Sequence, residues 1–185
     1  MATARTASKP AVKPASRSRT QSVDAITLLR GDHKLVSALF EQYGKARSDS
    51  KKQALVTQIC DELSVHATVE EEIFYPAVKA ALKDRELVPE AVVEHATIKE
   101  FIAKLRGKPS DGEMFDAQVQ VMGEYVKHHV KEEQTEMFPK ARRTKLDMFV
   151  LGAQMMARKD ELKTAPSALP REPTAVADLP AETPA

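Results

Sequence analysis

Four of the five histidines in this chain fall into two copies of one pattern. The first copy opens with Asp32-His33-Lys34 and the second with Glu94-His95-Ala96. His66 follows His33 by 33 residues, and His129 follows His95 by 34. Each of these later histidines has a glutamate four residues on, Glu70 or Glu133, and a proline ten residues on, Pro76 or Pro139, preceded by Tyr75 or Phe138. The repeat also selects His129 over its neighbour His128. A His and a Glu four apart share one side of a helix and can share one metal ion. Imidazole and carboxylate donors with no thiolate suit iron or manganese better than structural zinc. Two octahedral ions offer about twelve positions. Four histidines fill four of them, and two bridging glutamates fill four more. The rest are left for a shared oxide or hydroxide and for outside ligands, so such a centre is open to a small molecule.

The elements that must carry these residues read as helices. Residues 23–46 place Ile26, Leu29, His33, Val36 and Phe40 on one face. A second helix, 52–83, has the stripe Ile59, Leu63, His66, Glu70, Ile73, Ala77. A third, 87–106, has Val92, His95, Ile98, Ile102 and Leu105, and Gly107, Lys108 and Pro109 stop it. A fourth, 111–142, has Phe115, Val119, Met122, Val126, His129, Glu133 and Met137. No strand pattern occurs, and the linkers are short enough to make neighbours antiparallel. The expected fold is all-α: an up-down-up-down four-helix bundle over 23–143, with an accessory C-terminal helix over 144–163. That last helix, at its core 145–162, is expected to pack against the bundle through Leu146, Phe149, Val150, Ala153 and Met156. Pro76 and Pro139 are expected to kink the second and fourth helices.

In every helix, ligand-type residues replace apolar ones within the buried stripe. Burying an unpaired carboxylate or imidazole costs several kcal/mol, and six of them together would exceed a domain's net stability of roughly 5–15 kcal/mol. A metal compensates them directly. The bland alternative is a set of core histidines satisfied by neighbouring glutamates; one pair would favour it, and four helices each offering a histidine weigh against it. Glu71, Glu72, Glu132 and Glu136 flank the stripe, as ligand-orienting groups or as a solvated face. His128 reads as surface or as a support to the ligands. Tyr43 and Tyr125 have the reach to enter the pocket, with core packing as their default.

Residues 1–22 carry Arg5, Lys9, Lys13, Arg17 and Arg19 and no acid, which makes them a disordered basic arm. The chain totals 28 Lys and Arg against 27 Asp and Glu, so removing the arm leaves the remainder mildly acidic. The arm reads as a solubilising tail or as a weak contact for nucleic acid. Pro10 and Pro14 oppose the amphipathic helix of a transit peptide. Residues 164–185 form a second Pro- and Ala-rich disordered tail. A charged fraction of 30% and a hydrophobic fraction of 42% fit a soluble globular protein. The single cysteine, Cys60, rules out an intrachain disulfide. With no secretory signal and no apolar stretch long enough for a bilayer, the expected location is cytoplasmic, with no membrane partner.

Residues 23–142 resemble the hemerythrin-like, HHE cation-binding family. The resemblance rests on His33, His66-Ala-Thr-Val-Glu70-Glu-Glu-Ile-Phe-Tyr-Pro76, His95 and His129-Val-Lys-Glu-Glu133-Gln-Thr-Glu-Met-Phe-Pro139. Ferritin-like bundles differ in using Glu-x-x-His, which this chain lacks. The resemblance implies a non-haem di-iron centre, two iron ions in preference to manganese, bridged by oxide or hydroxide. His33, His66, His95 and His129 would be terminal ligands and Glu70 and Glu133 the bridges. It implies a protein that binds, senses or decomposes dioxygen, peroxide or nitric oxide. Oxygen-carrying members have another histidine one turn after the third-helix histidine; here that position is Lys99. The departure favours peroxide breakdown, sensing or iron handling over reversible oxygen carriage. Two other readings are a metal-stabilised interaction protein that uses its basic arm, and a supplier of iron or repairer of iron centres.

Overall fold

The computed structural model describes residues 23–110 and 112–164, and the expectations for residues 1–22 and 165–185 fall outside them. Four helical rods form the bundle. The first is α1 (Ala25–Lys45). The second is α2 (Asp49–Val69), a π turn at Glu70–Phe74, and α3 (Tyr75–Leu82). The third is α4 (Leu87–Leu105). The fourth repeats the second: α5 (Glu113–Glu132), a π turn at Glu133–Met137, and α6 (Phe138–Arg142). A last helix, α7 (Met148–Thr164), packs on α1 and α2 and takes in the first residue of the expected tail. Local chemistry sets the starts: Asp24 caps α1 by accepting from the Thr27 backbone N–H, and Ser48 caps α2 through Lys51 N–H. Gly107 and Gly112, both at positive φ, carry the chain from the third rod to the fourth.

The expected kinks take the form of the two π turns. Proline has no N–H, and its ring collides with the carbonyl four residues back. Here the preceding turn widens, so that the N–H of Tyr75 donates to the carbonyl of Glu70 and that of Phe138 to Glu133. The extra residue rotates everything after it relative to a continuous helix. In the second rod the buried face therefore passes to Phe74, Tyr75 and Val78, and the expected Ile73 and Ala77 are only half-buried. Two more stripe expectations shift by a residue. Phe40 is half-buried while Leu39 and Tyr43 are buried, and Val92 is 43% exposed while Val88 and Ala91 are buried.

The core falls into two apolar clusters. One packs Val36, Leu63, Ile98 and Val126 with their neighbours. The other packs Leu29, Phe74, Val88 and Phe138, together with Leu151 and Met155 of α7. In every rod the polar residues of the stripe come between the two, so the fold buries one polar layer inside an otherwise apolar bundle.

Helix α7 docks through a different face from the expected one. Leu151, Gly152 and Met155 are buried, whereas Phe149 and Val150 are more than half exposed. The physical reason is Gly152. A Cβ placed there would come within 2.1 Å of the Val23 carbonyl oxygen and 2.8 Å of the Ala25 nitrogen. Only a glycine lets the two backbones approach so closely. Alanine normally gains about 0.5–1 kcal/mol over glycine inside a helix. Here Gly152→Ala is expected to lose roughly 1–3 kcal/mol through overpacking against backbone, read as a lower urea midpoint. An unchanged or raised midpoint would refute the close docking. Among the described residues, no helix is long and apolar enough to cross a membrane.

Candidate metal centre

All six expected residues meet in the polar layer. His33, His66, Glu70, His95, His129 and Glu133 come from the four rods, and none is more than 5% exposed. The histidine Nε2 atoms face each other in pairs, His33 to His66 at 3.2 Å and His95 to His129 at 3.1 Å. Each glutamate joins the pairs. Glu70 Oε2 lies 3.0 Å from His66 Nε2 and 3.4 Å from His95 Nε2. Glu133 Oε2 lies 3.2 Å from His33 Nε2 and 3.6 Å from His129 Nε2. Two overlapping donor sets result, His33/His66/Glu70/Glu133 and His95/His129/Glu70, each compact enough for one cation.

Two fully buried carboxylate oxygens, Glu70 Oε1 and Glu133 Oε2, have no hydrogen-bond partner among the described residues. A buried acceptor without a donor costs stability, and a cation between the two histidine pairs would satisfy both. The donor set thus fits metal on the protein's own geometry.

The outer nitrogens of the four rings are also held. Asp32 lies 3.4 Å from His66 Nδ1, Glu71 3.0 Å from His95 Nδ1 and Glu94 2.7 Å from His129 Nδ1. A carboxylate accepting from Nδ1–H fixes the tautomer whose Nε2 lone pair faces inward. The Gln134 amide nitrogen sits 3.1 Å from His33 Nδ1. With that amide turned over, its oxygen accepts from Nδ1–H in the same way. These supports follow the repeat. Asp32 and Glu94 each precede a first histidine and reach across to the second; Glu71 and Gln134 each follow a glutamate and reach back to a first histidine.

The two halves differ where the repeat is imperfect. Tyr75 occupies the place that Phe138 takes in the other half. Its hydroxyl donates to Glu133 Oε1 at 2.9 Å and lies 3.4 Å from Glu70 Oε2 and 3.3 Å from His95 Nε2. Phe138 instead stacks flat on the His33 ring, 5.8 Å between centres. Tyr75, like Asp32, Glu94 and Gln134, is a site residue that the sequence reading missed. Its only signal was the Tyr/Phe mismatch between the two aromatic-Pro pairs. Lys99 points to Glu71, at 2.6 Å, so the residue standing in place of a further histidine braces the carboxylate behind His95.

Burial disfavours the imidazolium of His66, but the Glu70 charge and the bonds to Asp32 and Glu70 outweigh it and push its pKa up to about 10. Burial likewise opposes the Glu70 carboxylate, and the His66 charge overrides it, holding Glu70 well below the usual carboxylate range. Tyr75 is pushed well above the phenol range by burial and by the charges of Glu70 and Glu133, so it keeps its proton.

One side of the centre opens on a cavity of about 20 Å³, room for a water-sized molecule or little more. Its apolar wall is Val36, Leu63, Ile98 and Val126, one from each rod and each three residues from a site histidine.

Other candidates lie elsewhere. Of the flanking glutamates only Glu71 supports a site histidine. Glu72 pairs with Arg158, Glu132 with His128, and Glu136 with Lys140. His128 is on the surface. Tyr43 bonds Asp116, and Tyr125 is 46% exposed. Cys60 is buried in the core, which pushes its thiol up to about 11 and leaves it protonated.

A helical bundle with a buried histidine–carboxylate layer defines a cation-binding bundle protein. The chain belongs to the hemerythrin HHE cation binding domain family, whose model matches residues 24–141. It is 26% identical over 118 residues to a DNA nickase of Nostoc sp., a match that covers 64% of this chain but only 33% of that protein. It is 24% identical over 148 residues to the uncharacterized protein Rv2633c of Mycobacterium tuberculosis, covering 78% of this chain and 90% of the relative. In fold it is similar to a crystal structure of a hemerythrin HHE cation binding domain-containing protein from Mycobacterium kansasii, an Rv2633c homolog. The TM-score is 0.65 at 24% identity, over 76% of this chain and 88% of the other.

Proposed function

We propose that this protein is a non-haem di-iron protein that binds, senses or decomposes a small oxidant: dioxygen, peroxide or nitric oxide. The observation that carries the reading is the pair of glutamates, each touching one histidine from either half, beside a cavity of about 20 Å³. His33 and His66 would hold one ion, His95 and His129 the other, with Glu70 and Glu133 shared. Imidazole and carboxylate without thiolate favour iron, and bound iron would supply the redox and Lewis-acid chemistry.

The chain's own residues set the rest. Asp32, Glu71 and Glu94 orient the rings of His66, His95 and His129. Gln134 orients His33 in the same way without bringing a charge. The small cavity with its apolar wall suits a diatomic molecule or peroxide better than a larger substrate. Tyr75 keeps its proton and donates it in a hydrogen bond to Glu133 Oε1, which holds that carboxylate in place beside Glu70. Lys99, where a further histidine ligand would stand, supports reactivity or sensing over reversible oxygen carriage.

The test is elemental analysis of purified protein, with absorption spectra in air and after peroxide. About two irons per chain are expected, as two six-coordinate ions require, with visible bands that change on adding peroxide. No iron after anaerobic loading, with the helices intact, would overturn the reading. The protein would then be better read as an interaction protein working through its basic arm.

A further inference from the structure

Helix α7 lies outside the stretch matched by the family model, yet it reaches the centre. Lys159 Nζ donates to Asp32 Oδ1, and the other oxygen of Asp32 faces His66 Nδ1. This ion pair is mostly buried, with side chains 12% and 14% exposed. Asp32 also lines the cavity. The other half of the centre has a parallel arrangement, Lys99 to Glu71 to His95. There, however, the lysine comes from the bundle itself and is 45% exposed.

Helix α7 makes two other ion pairs with the second rod, Arg158 with Glu72 and Lys163 with Glu62. Both involve more exposed side chains, and neither glutamate hydrogen-bonds a site histidine. Exposed pairs contribute little to stability. The buried one does more, because a lysine fixed on one oxygen of Asp32 leaves the other aimed at the ring. Without it, a carboxylate with a single imidazole partner would turn toward water.

We propose that Lys159 is a positioning residue for His66, acting through Asp32, so that the C-terminal helix completes the His33/His66 half of the metal centre. This rests on the metal-centre reading above. Loss of such a ring-orienting partner typically costs a metal site about 10–100-fold in affinity.

The experiment loads the full-length protein anaerobically with ferrous iron and follows its transfer to a coloured ferrous chelator. In Lys159→Ala, one of the two irons is expected to leave about 10–100-fold faster, while the other leaves at the wild-type rate. Asp32→Asn is expected to reproduce this, and Lys159→Arg to restore slow release. Lys163→Ala removes an anchor of α7 without touching Asp32, and both irons should leave at wild-type rates. Equal acceleration in Lys159→Ala and Lys163→Ala would mean that α7 acts only as a structural clamp, and would overturn the assignment. So would a Lys159→Ala protein that holds both irons as tightly as wild type. Wild-type protein that takes up no iron would instead remove the metal-centre reading, and this assignment with it.

Discussion

On the proposed di-iron reading, Glu70→Gln is expected to lower the metal bound per chain from about two ions to one or fewer, since the carboxylate common to both donor sets is lost. Glu70 belongs to both donor sets, and its Oε2 touches a histidine of each half. The amide has nearly the same shape but brings N–H donors where a cation needs lone pairs. It also removes one of only two negative charges among the six donors, in a layer with little solvent to replace it. The helices should stay intact, because Gln keeps the volume and the neighbouring His66 can give up its proton. Glu132→Gln is the control: Glu132 pairs with surface His128 and takes no part in either buried donor set. Two tightly bound ions in Glu70→Gln, by elemental analysis after desalting, would show that this glutamate is not a shared ligand.

Stripping the metal should leave a folded but less stable protein. The metal-free layer is held by ion pairing, with His66 charged against Glu70. That pairing still leaves one oxygen of each glutamate unsatisfied. A ligand that binds only the folded state stabilises it by about 4 kcal/mol when its free concentration is a thousand times its Kd. At roughly 2–4 °C per kcal/mol for a chain of this size, Tm should fall on the order of 10 °C on chelation. The same measurement on Glu70→Gln should show a smaller metal-dependent shift. Equal Tm for loaded and stripped wild type would mean that the buried layer is satisfied without metal.

Much of the architecture is readable because the chain states it twice. The matching His, Glu and aromatic-Pro spacings mark both halves of the bundle and single out the six residues that converge. Helical periodicity places His33, His95 and the fourth-rod stripe inside correctly. It fails after Glu70, since a steady α-helical phase leads to Ile73 and Ala77 and knows nothing of an extra residue. Prolines announce a distortion, but not that it is a π turn. Helix α7 misleads for another reason: it has apolar residues on more than one side, and its docking face is chosen by a glycine, which adds no hydrophobicity to any stripe. The partners of the outer ring nitrogens were harder still. Asp32 and Glu94 sit next to site histidines in sequence, but each serves a histidine on a neighbouring rod. Lys159 is 127 residues from Asp32, a pairing that no local pattern announces.

The paired π turns make the bundle nearly two-fold symmetric in its local distortions. Each begins at a glutamate four residues after a histidine and ends just before the aromatic-Pro pair. Each half of the bundle is a two-rod hairpin with the same distortion at the same place relative to its histidine and glutamate. The distorted hairpin is thus the unit of the site's symmetry, and Tyr75 against Phe138 and Glu71 against Gln134 are where the two halves break it.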